Sequence, residues 1–448
     1  MAGDLHIKEG LLNPGRVPTG SVSHHYGSSL VVGELGPGAE SPVEREAAGA
    51  AVSAPQSEAG LAAFRLRSSE VFRKAKANRP YERASWNGEE GADLLPPHPP
   101  EKLMSMLVER APGVAEAAGA AAATSQRLSG KVAVGVVVVS GPGALAFSAA
   151  ETTKVHAEVQ NGLSWLGSHT GTTQPVQFFY DLQNVTLTLP DDPNGTDKEG
   201  YWRNPTMQQL GFADPAAYVQ HLISSLSTDW GYCAFFVKYS QSWFAYAYLG
   251  GPYLCMQYSN DGWGPDNIDR VFAHETGHIF NAPDEYSASG CNCTSTFGIY
   301  SVVNGNCETC AAGGAVDCIM RGNTWAMCRY TLWHLGCPSL SSAIASTAFP
   351  NVYLRMDGTG VTQPTGPGGG TVNCQYTAMS WEKFELVLQK DPNGRNDGTF
   401  SIKSTVFPNV FLRMDGNGVT QPTGPGGGTV NCQYTAMAWE CYRLQPWQ

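Results

Sequence analysis

Residues 131–143 read KVAVGVVVVSGPG. A continuous β-branched run of strand length, stopped by Gly-Pro-Gly, reads as a buried strand. The stretch after it, SAAETTKVHAEVQNGLSWLG (148–167), has helical spacing. Val155, Val159, Leu163 and Leu166 recur on one face, and Ser148 stands where an N-cap is wanted. PVQFFYDLQNVTLTL (175–189) then reads as a second strand or hairpin arm, followed by a polar loop with Asp-Pro-Asn-Gly (192–195). A helix is expected over 215–226. Two further strands are expected in CAFFVKY (233–239) and WFAYAYLGGPYLCMQY (243–258), and then a helix running into His278. Strands alternating with helices predict a mixed α/β domain.

Around this centre the texture changes twice. Residues 1–125 carry Gly, Pro, Ser and Ala clusters and weak apolar periodicity, with short helices expected near 61–77 and 101–110. This reads as a leader, partly disordered and propeptide-like. Residues 339–448 hold a duplication in two copies, 339–398 and 399–448. VTQPTGPGGGTVNCQYTAM occurs identically at 361–379 and 419–437. Each copy reads as about four short strands with Asp-Gly and Gly-rich turns, closed by an aromatic strand from Trp381 or Trp439. The middle segment, 126–338, is the expected catalytic domain.

The chain has 448 residues, with 28 Lys+Arg against 39 Asp+Glu, a net charge of −11, and 42% hydrophobic residues. That composition is globular, and an acidic chain lacks the basic face that sequence-independent nucleic-acid binding needs. No stretch has the length of a membrane span. The 12 cysteines begin only at Cys233. Their even, clustered set predicts disulfides and a secreted protein, although the N-terminus shows no signal-peptide core.

Chemistry concentrates in 266–286, DNIDRVFAHETGHIFNAPDEY. His274 and His278, four apart, share one helical face and can bind one Zn²⁺. Glu275 between them is placed as general base toward an activated water. Three residues compete as third ligand: Asp284, Glu285 and Glu308. Asp284 follows His278 by six, the spacing at which a sharp turn brings a ligand back. Asn281 tolerates the left-handed turn position and Pro283 stops the helix. Tyr286 and Tyr330 are candidate transition-state donors.

HETGHIFNAPDEY, with the Cys-rich loop and CIMRGNTWAMC after it, resembles a metzincin-type zinc peptidase core. The resemblance covers about 131–336. It implies a zincin-type fold with a mixed sheet and an active-site helix, peptide-bond hydrolysis with Glu275 as base, and Met320 in a turn beneath the metal. Asp284 stands where a third His is commoner, and Asn281 where Gly is usual. The duplicated copies resemble β-trefoil lobes of the fascin-like kind. That implies an all-β, trefoil-like domain, of which two of the three lobes are evident, and a glycan or cell-surface ligand for 339–448.

Cys291, Cys293, Cys307 and Cys310 read either as two disulfides or as a four-thiolate zinc site, the former favoured by an oxidising compartment. Further pairings are expected for Cys318–Cys328, Cys233–Cys255 and Cys337–Cys441, with Cys374 and Cys432 left free. Asp261, Asp266, Asp269 and Glu285 offer carboxylates for a Ca²⁺. The leading expectation is thus a secreted zinc endopeptidase with a targeting module and a protein or peptide substrate. The alternatives are a lectin, adhesin or toxin-like protein whose repeats carry the function, and a zinc hydrolase of non-peptide amides.

Overall fold

The computed structural model describes residues 9–12, 22–27, 30–34, 55–86, 124–170, 175–260, 262–337, 343–346, 348–390, 396–422, 424 and 426–442. They fall into two compact units, Met1–Cys337 and Pro338–Gln448.

The first unit is a mixed sheet with helices. Its N-terminal segment contributes β1 (Glu9–Leu12), β2 (Ser23–Tyr26), β3 (Leu30–Glu34), α1 (Pro55–Arg67) and α2 (Glu70–Ala77). Then follow β4 (Lys131–Ser140), α3 (Ala149–Ser168), β5 (Gln177–Thr186), α4 (Lys198–Leu210) and α5 (Pro215–Ser225). Next come β6 (Trp230–Val237), β7 (Ala245–Ala247), β8 (Tyr253–Gln257) and α6 (Ile268–Ile279). The unit closes with β9 (Thr296–Phe297), β10 (Val302–Val303) and α7 (Arg329–His334). The eight-stranded order is β1-β3-β2-β5-β4-β6-β8-β7. Five parallel strands form the centre, and the edges at β1–β3 and β7 are antiparallel.

β4 is buried on both faces, as its unbroken apolar run requires. Val132, Val134, Val136 and Val138 join one core with Val155, Val159 and Leu163 of α3 and Val271 and Phe272 of α6. Ala133, Val137 and Val139 join the opposite core with Trp202 of α4 and Tyr218 and Leu222 of α5. α3 starts with a full capping box between Ser148 and Glu151.

Within 1–125 the helix expected near 61–77 is present as α1 and α2, and the described strands join the main sheet. β2 pairs in parallel with β5, and Tyr26 and Val32 are buried in the same core as β4. A Cβ on Gly60 of α1 would meet the Tyr26 ring at 2.4 Å, so only glycine lets the helix lie this close to the strand. The helix expected near 101–110 lies outside the described residues.

A buried ionic cluster fastens α2 to α3 and α6. Glu158 pairs with Lys76 and with Lys154, and Asp269 pairs with Lys76 and Arg79, each at 3.1 Å. These partners correct the Ca²⁺ expectation. Asp266 is held by Lys154, Asp269 by Arg79 and Lys76, and Glu285 by groups around α7, so they do not converge on one cation. Asp261 lies outside the described residues.

Three buried histidines give the unit a pH dependence. His24 lies between the Tyr180 and Ser164 hydroxyls, and burial pulls its pKa down to about 3. Burial pulls His156 and His334 down to about 4. Below the ordinary value of 6.5 the unfolded chain takes up protons that the fold refuses, so stability rises with pH. Well below 6.5 the loss approaches about 1.4 kcal/mol per pH unit for each group. The urea midpoint of the first unit should therefore fall steeply from pH 6.5 towards pH 4. A flat profile there would contradict this reading.

The second unit is antiparallel β. β11 (Val352–Asp357) pairs with β12 (Thr371–Tyr376). A four-stranded sheet runs β13 (Phe384–Lys390), β14 (Asn396–Ser404), β15 (Val410–Asp415) and β16 (Thr429–Tyr434). The aromatic strand expected from Trp381 begins at Phe384 as β13, whereas Trp439 lies in a short 3-10 turn, Ala438–Glu440, and not in a strand. Both tryptophans sit in turns, under the guanidinium groups of Arg355 and Arg413 at 4.3 and 4.5 Å. Among the described residues no helix is long and apolar enough to cross a membrane.

Candidate metal centre

α6 is buried along its whole length, so its polar side chains need internal partners. Its end turns sharply. Asn281 has φ 70°, Ala282 N–H donates to the Gly277 carbonyl and Asn281 N–H to the His278 carbonyl, both at 2.9 Å. This is the Schellman arrangement with Asn in the glycine position. The turn returns the chain to its own helix, where His278 Nδ1 meets the Ala282 carbonyl at 2.7 Å and Asp284 comes back to both imidazoles.

His274 Nδ1 donates to the Ile319 carbonyl at 3.0 Å. Carbonyls only accept, so each Nδ1 carries the hydrogen and each neutral ring presents a bare Nε2. The two Nε2 atoms lie 3.1 Å apart, and Asp284 Oδ1 lies 3.2 Å from each. Three lone-pair donors converging in a buried place require a proton or a cation between them. Zinc bonds of about 2.0–2.1 Å at the tetrahedral angle would set ligand atoms roughly 3.3 Å apart, close to this triangle. Asp284 Oδ1 and Glu275 Oε2 are both buried with no hydrogen-bond partner among the described residues. The donor set and these two orphaned oxygens fit a divalent cation. Burial alone would lower the His278 pKa, but Asp284 opposite raises it to about 9. Burial would raise Asp284, but His278 holds it well below the usual carboxylate range. A cation entering the triangle must therefore displace a proton.

The other predicted residues divide clearly. Glu285 points away: its Oε1 accepts from Thr331 and Cys328, its Oε2 from Asn306. Glu308 accepts from the Ser287 amide and pairs with Arg321. Tyr286 is buried beside Asp284. Burial and that carboxylate push its pKa well above the usual phenol value, so it stays protonated. Tyr330 instead lies over Gly305, with its hydroxyl on Arg329. Met320 sits beneath α6. A Cβ on Gly277 would meet its Sδ at 2.6 Å, so glycine between the histidines is what admits the sulfur.

Sequence reading missed Trp86. Its indole N–H donates at 2.6 Å to the same Ile319 carbonyl that receives His274, and its ring lies 5.3 Å from the His274 ring. A tryptophan in a Gly/Pro-rich stretch gave no periodic signal to find it by.

The loop after α6 is stapled by Cys291–Cys307 and Cys293–Cys310. The remaining expected pairs are thiols. Cys318 and Cys328 are engaged by Thr331, and Cys328 donates to Glu285 at 3.0 Å. Cys233 is in register with Tyr253 and Cys255 with Phe235, two residues out of step, and both stay free. Cys337 donates to the Leu128 carbonyl and Cys441 to the Met437 carbonyl. Cys374 and Cys432 are also free.

The stapled loop supports the ligand turn. Asn304 Nδ2 donates to the Asp284 carbonyl at 2.7 Å, and Glu308 N–H to the Glu285 carbonyl at 2.8 Å. Replacing Cys293 and Cys310 by Ser should loosen Asp284 and weaken the affinity of the triangle for a divalent cation by about 10–100-fold, as loss of outer-shell support does. Competition with a chromogenic chelator measures it, and unchanged affinity would show that the loop does not hold the ligand.

No protein-family model matches this chain, and no curated protein matches it.

Proposed function

We propose that the chain is an extracellular zinc endopeptidase with a zincin-type catalytic unit of the metzincin kind. The observation that carries this reading is the triangle of His274 Nε2, His278 Nε2 and Asp284 Oδ1, with sides of 3.1–3.2 Å. Glu275 is the next residue to His274 on the same helix, with one carboxylate oxygen unsatisfied. His274, His278 and Asp284 would hold the metal. Zinc in such a centre supplies Lewis-acid polarisation of a carbonyl and acidifies water at neutral pH. Glu275 accepts a proton at its carboxylate and passes it to the leaving amine. Tyr286, kept protonated by burial and by the Asp284 charge, stands beside the ligand carboxylate. The two disulfides agree with an oxidising, extracellular setting. The duplicated unit belongs to this reading as a trefoil-like targeting module for a glycan or surface ligand.

The test is metal analysis of the purified full chain, together with cleavage of an unfolded protein with and without chelator. The expected result is one zinc per chain and cleavage that chelator abolishes and zinc restores. A folded chain that takes up no zinc overturns the proposal.

A further inference from the structure

The N-terminal segment reaches the His274–His278–Asp284 triangle through the turn that carries Met320. Residues 83–86 run antiparallel to 321–323. Arg83 N–H donates to the Asn323 carbonyl and Asn323 N–H to the Ala84 carbonyl, both at 2.8 Å, and Trp86 N–H donates to the Arg321 carbonyl at 3.1 Å. Ser85 and Gly322 face each other as an antiparallel bridge. A Cβ on Gly322 would lie 2.8 Å from the Ala84 carbonyl oxygen, so this approach of two backbones needs glycine. Glu82 clamps the start of the segment onto α6: Arg270 Nη1 and Nη2 donate to its two carboxylate oxygens at 2.7 and 2.9 Å.

The pairing delivers the buried side chain of Trp86 to the metal site. Its indole N–H donates to the Ile319 carbonyl at 2.6 Å, and His274 Nδ1 donates to the same oxygen at 3.0 Å. A carbonyl oxygen has two lone pairs, and these two donors use both. The indole bond is the shorter, so it sets the direction in which the oxygen faces His274. The indole ring also packs against the imidazole, with centroids 5.3 Å apart and planes at 60°. One side chain therefore fixes both the acceptor and the ring plane of His274. The acceptor for His278 is the Ala282 carbonyl, four residues on in its own turn. The acceptor for His274 lies 45 residues away along the chain, so packing has to put it in place.

We propose that Trp86 is a positioning residue of the metal centre, holding His274 through the Ile319 carbonyl so that its Nε2 faces the ion. The inference rests on the reading of the triangle as a divalent-cation site. It makes the N-terminal segment part of the metal centre as well as part of the sheet. Groups that orient a ligand histidine fix its tautomer and its ring, and losing one costs about 10–100-fold in metal affinity.

Zinc affinity of the full chain, measured by competition with a chromogenic chelator, tests this. Trp86→Phe keeps a ring against His274 and removes the N–H. It should weaken zinc binding by about 10-fold, and Trp86→Ala, which removes the ring too, by about 100-fold. Glu82→Gln weakens the clamp on Arg270 and leaves Trp86 in place, so it should lower the urea midpoint and leave zinc affinity unchanged. The visible absorption of bound cobalt reports ligand geometry. It should shift in Trp86→Phe and stay native in Glu82→Gln, which separates positioning from stability. A measurement on the native chain depends on no variant folding: with isotope-labelled tryptophan, an indole N–H resonance should move when zinc is added, because Trp86 and His274 share one acceptor. Native zinc affinity and cobalt spectrum in Trp86→Phe, or no indole resonance that moves, would overturn the proposal and leave the metal site standing. Equal loss of affinity in Trp86→Phe and Glu82→Gln would also overturn it, by reducing Trp86 to a structural role. A native chain that binds neither zinc nor cobalt would overturn it together with the reading it rests on.

Discussion

Glu275→Gln should lower peptide cleavage by about 10²–10⁴-fold, the range that a positioned general base contributes. Zinc content should stay at one per chain. The substitution keeps the shape of the side chain and removes its ability to take a proton. Glu275 Oε2 has no hydrogen-bond partner among the described residues, so the fold loses no internal bond by the change. The triangle does not include Glu275, so metal affinity should hold. The loss should fall on kcat with KM nearly unchanged, because the missing interaction matters only in the transition state. Asp284→Ala gives the contrasting result, loss of metal and activity together. Equal cleavage by the native chain and the Gln variant would remove Glu275 from the mechanism even if zinc is bound.

Arg79→Ala should destabilise the first unit by about 3 kcal/mol, at the lower end of what breaking a buried ion pair costs. Asp269 is fully buried on the first turn of α6, and Arg79 reaches it from the N-terminal segment. Removing the guanidinium leaves the carboxylate with Lys76 and Asn161, which soften the loss without cancelling it. Nearby, Glu82 pairs with Arg270, and Trp86 reaches the Ile319 carbonyl behind His274. A chain lacking residues 1–123 should therefore fail to fold, since it also loses β2 from the sheet. A stable, metal-binding chain starting at 124 would contradict this and support the reading of the segment as a removable propeptide. Urea melts and zinc titration of both variants decide the matter.

Much of the first unit is legible in local pattern. The apolar run of β4, the helical spacing and cap of α3, and the four-residue spacing of the histidines all follow from short-range periodicity. Asn281 and Pro283 foretell the turn, because left-handed tolerance and helix termination belong to single residues. The repeat is legible because duplication needs no structure to detect. The strands β1–β3 escape such a reading for a corresponding reason. β1–β3 are four or five residues long, and their few apolar side chains matter only when the edge of β5 is there to receive them.

By itself, then, the sequence determined the α/β order of the centre, the helix carrying His274, Glu275 and His278, and the duplication. Spacing and turn chemistry pointed to Asp284 among three acidic residues, and the tertiary structure places Asp284, not Glu285 or Glu308, beside the imidazoles. All three are carboxylates, Asp284 and Glu285 adjacent and Glu308 further along the chain, and the Schellman turn and the stapled loop aim one inward and two away. Tertiary structure also leaves Cys318 and Cys328 unbridged, with Thr331 beside both sulfurs and Glu285 accepting from Cys328. Spacing along the chain limits what can meet. Which groups do meet depends on the competition among all their neighbours for the same few donors and acceptors.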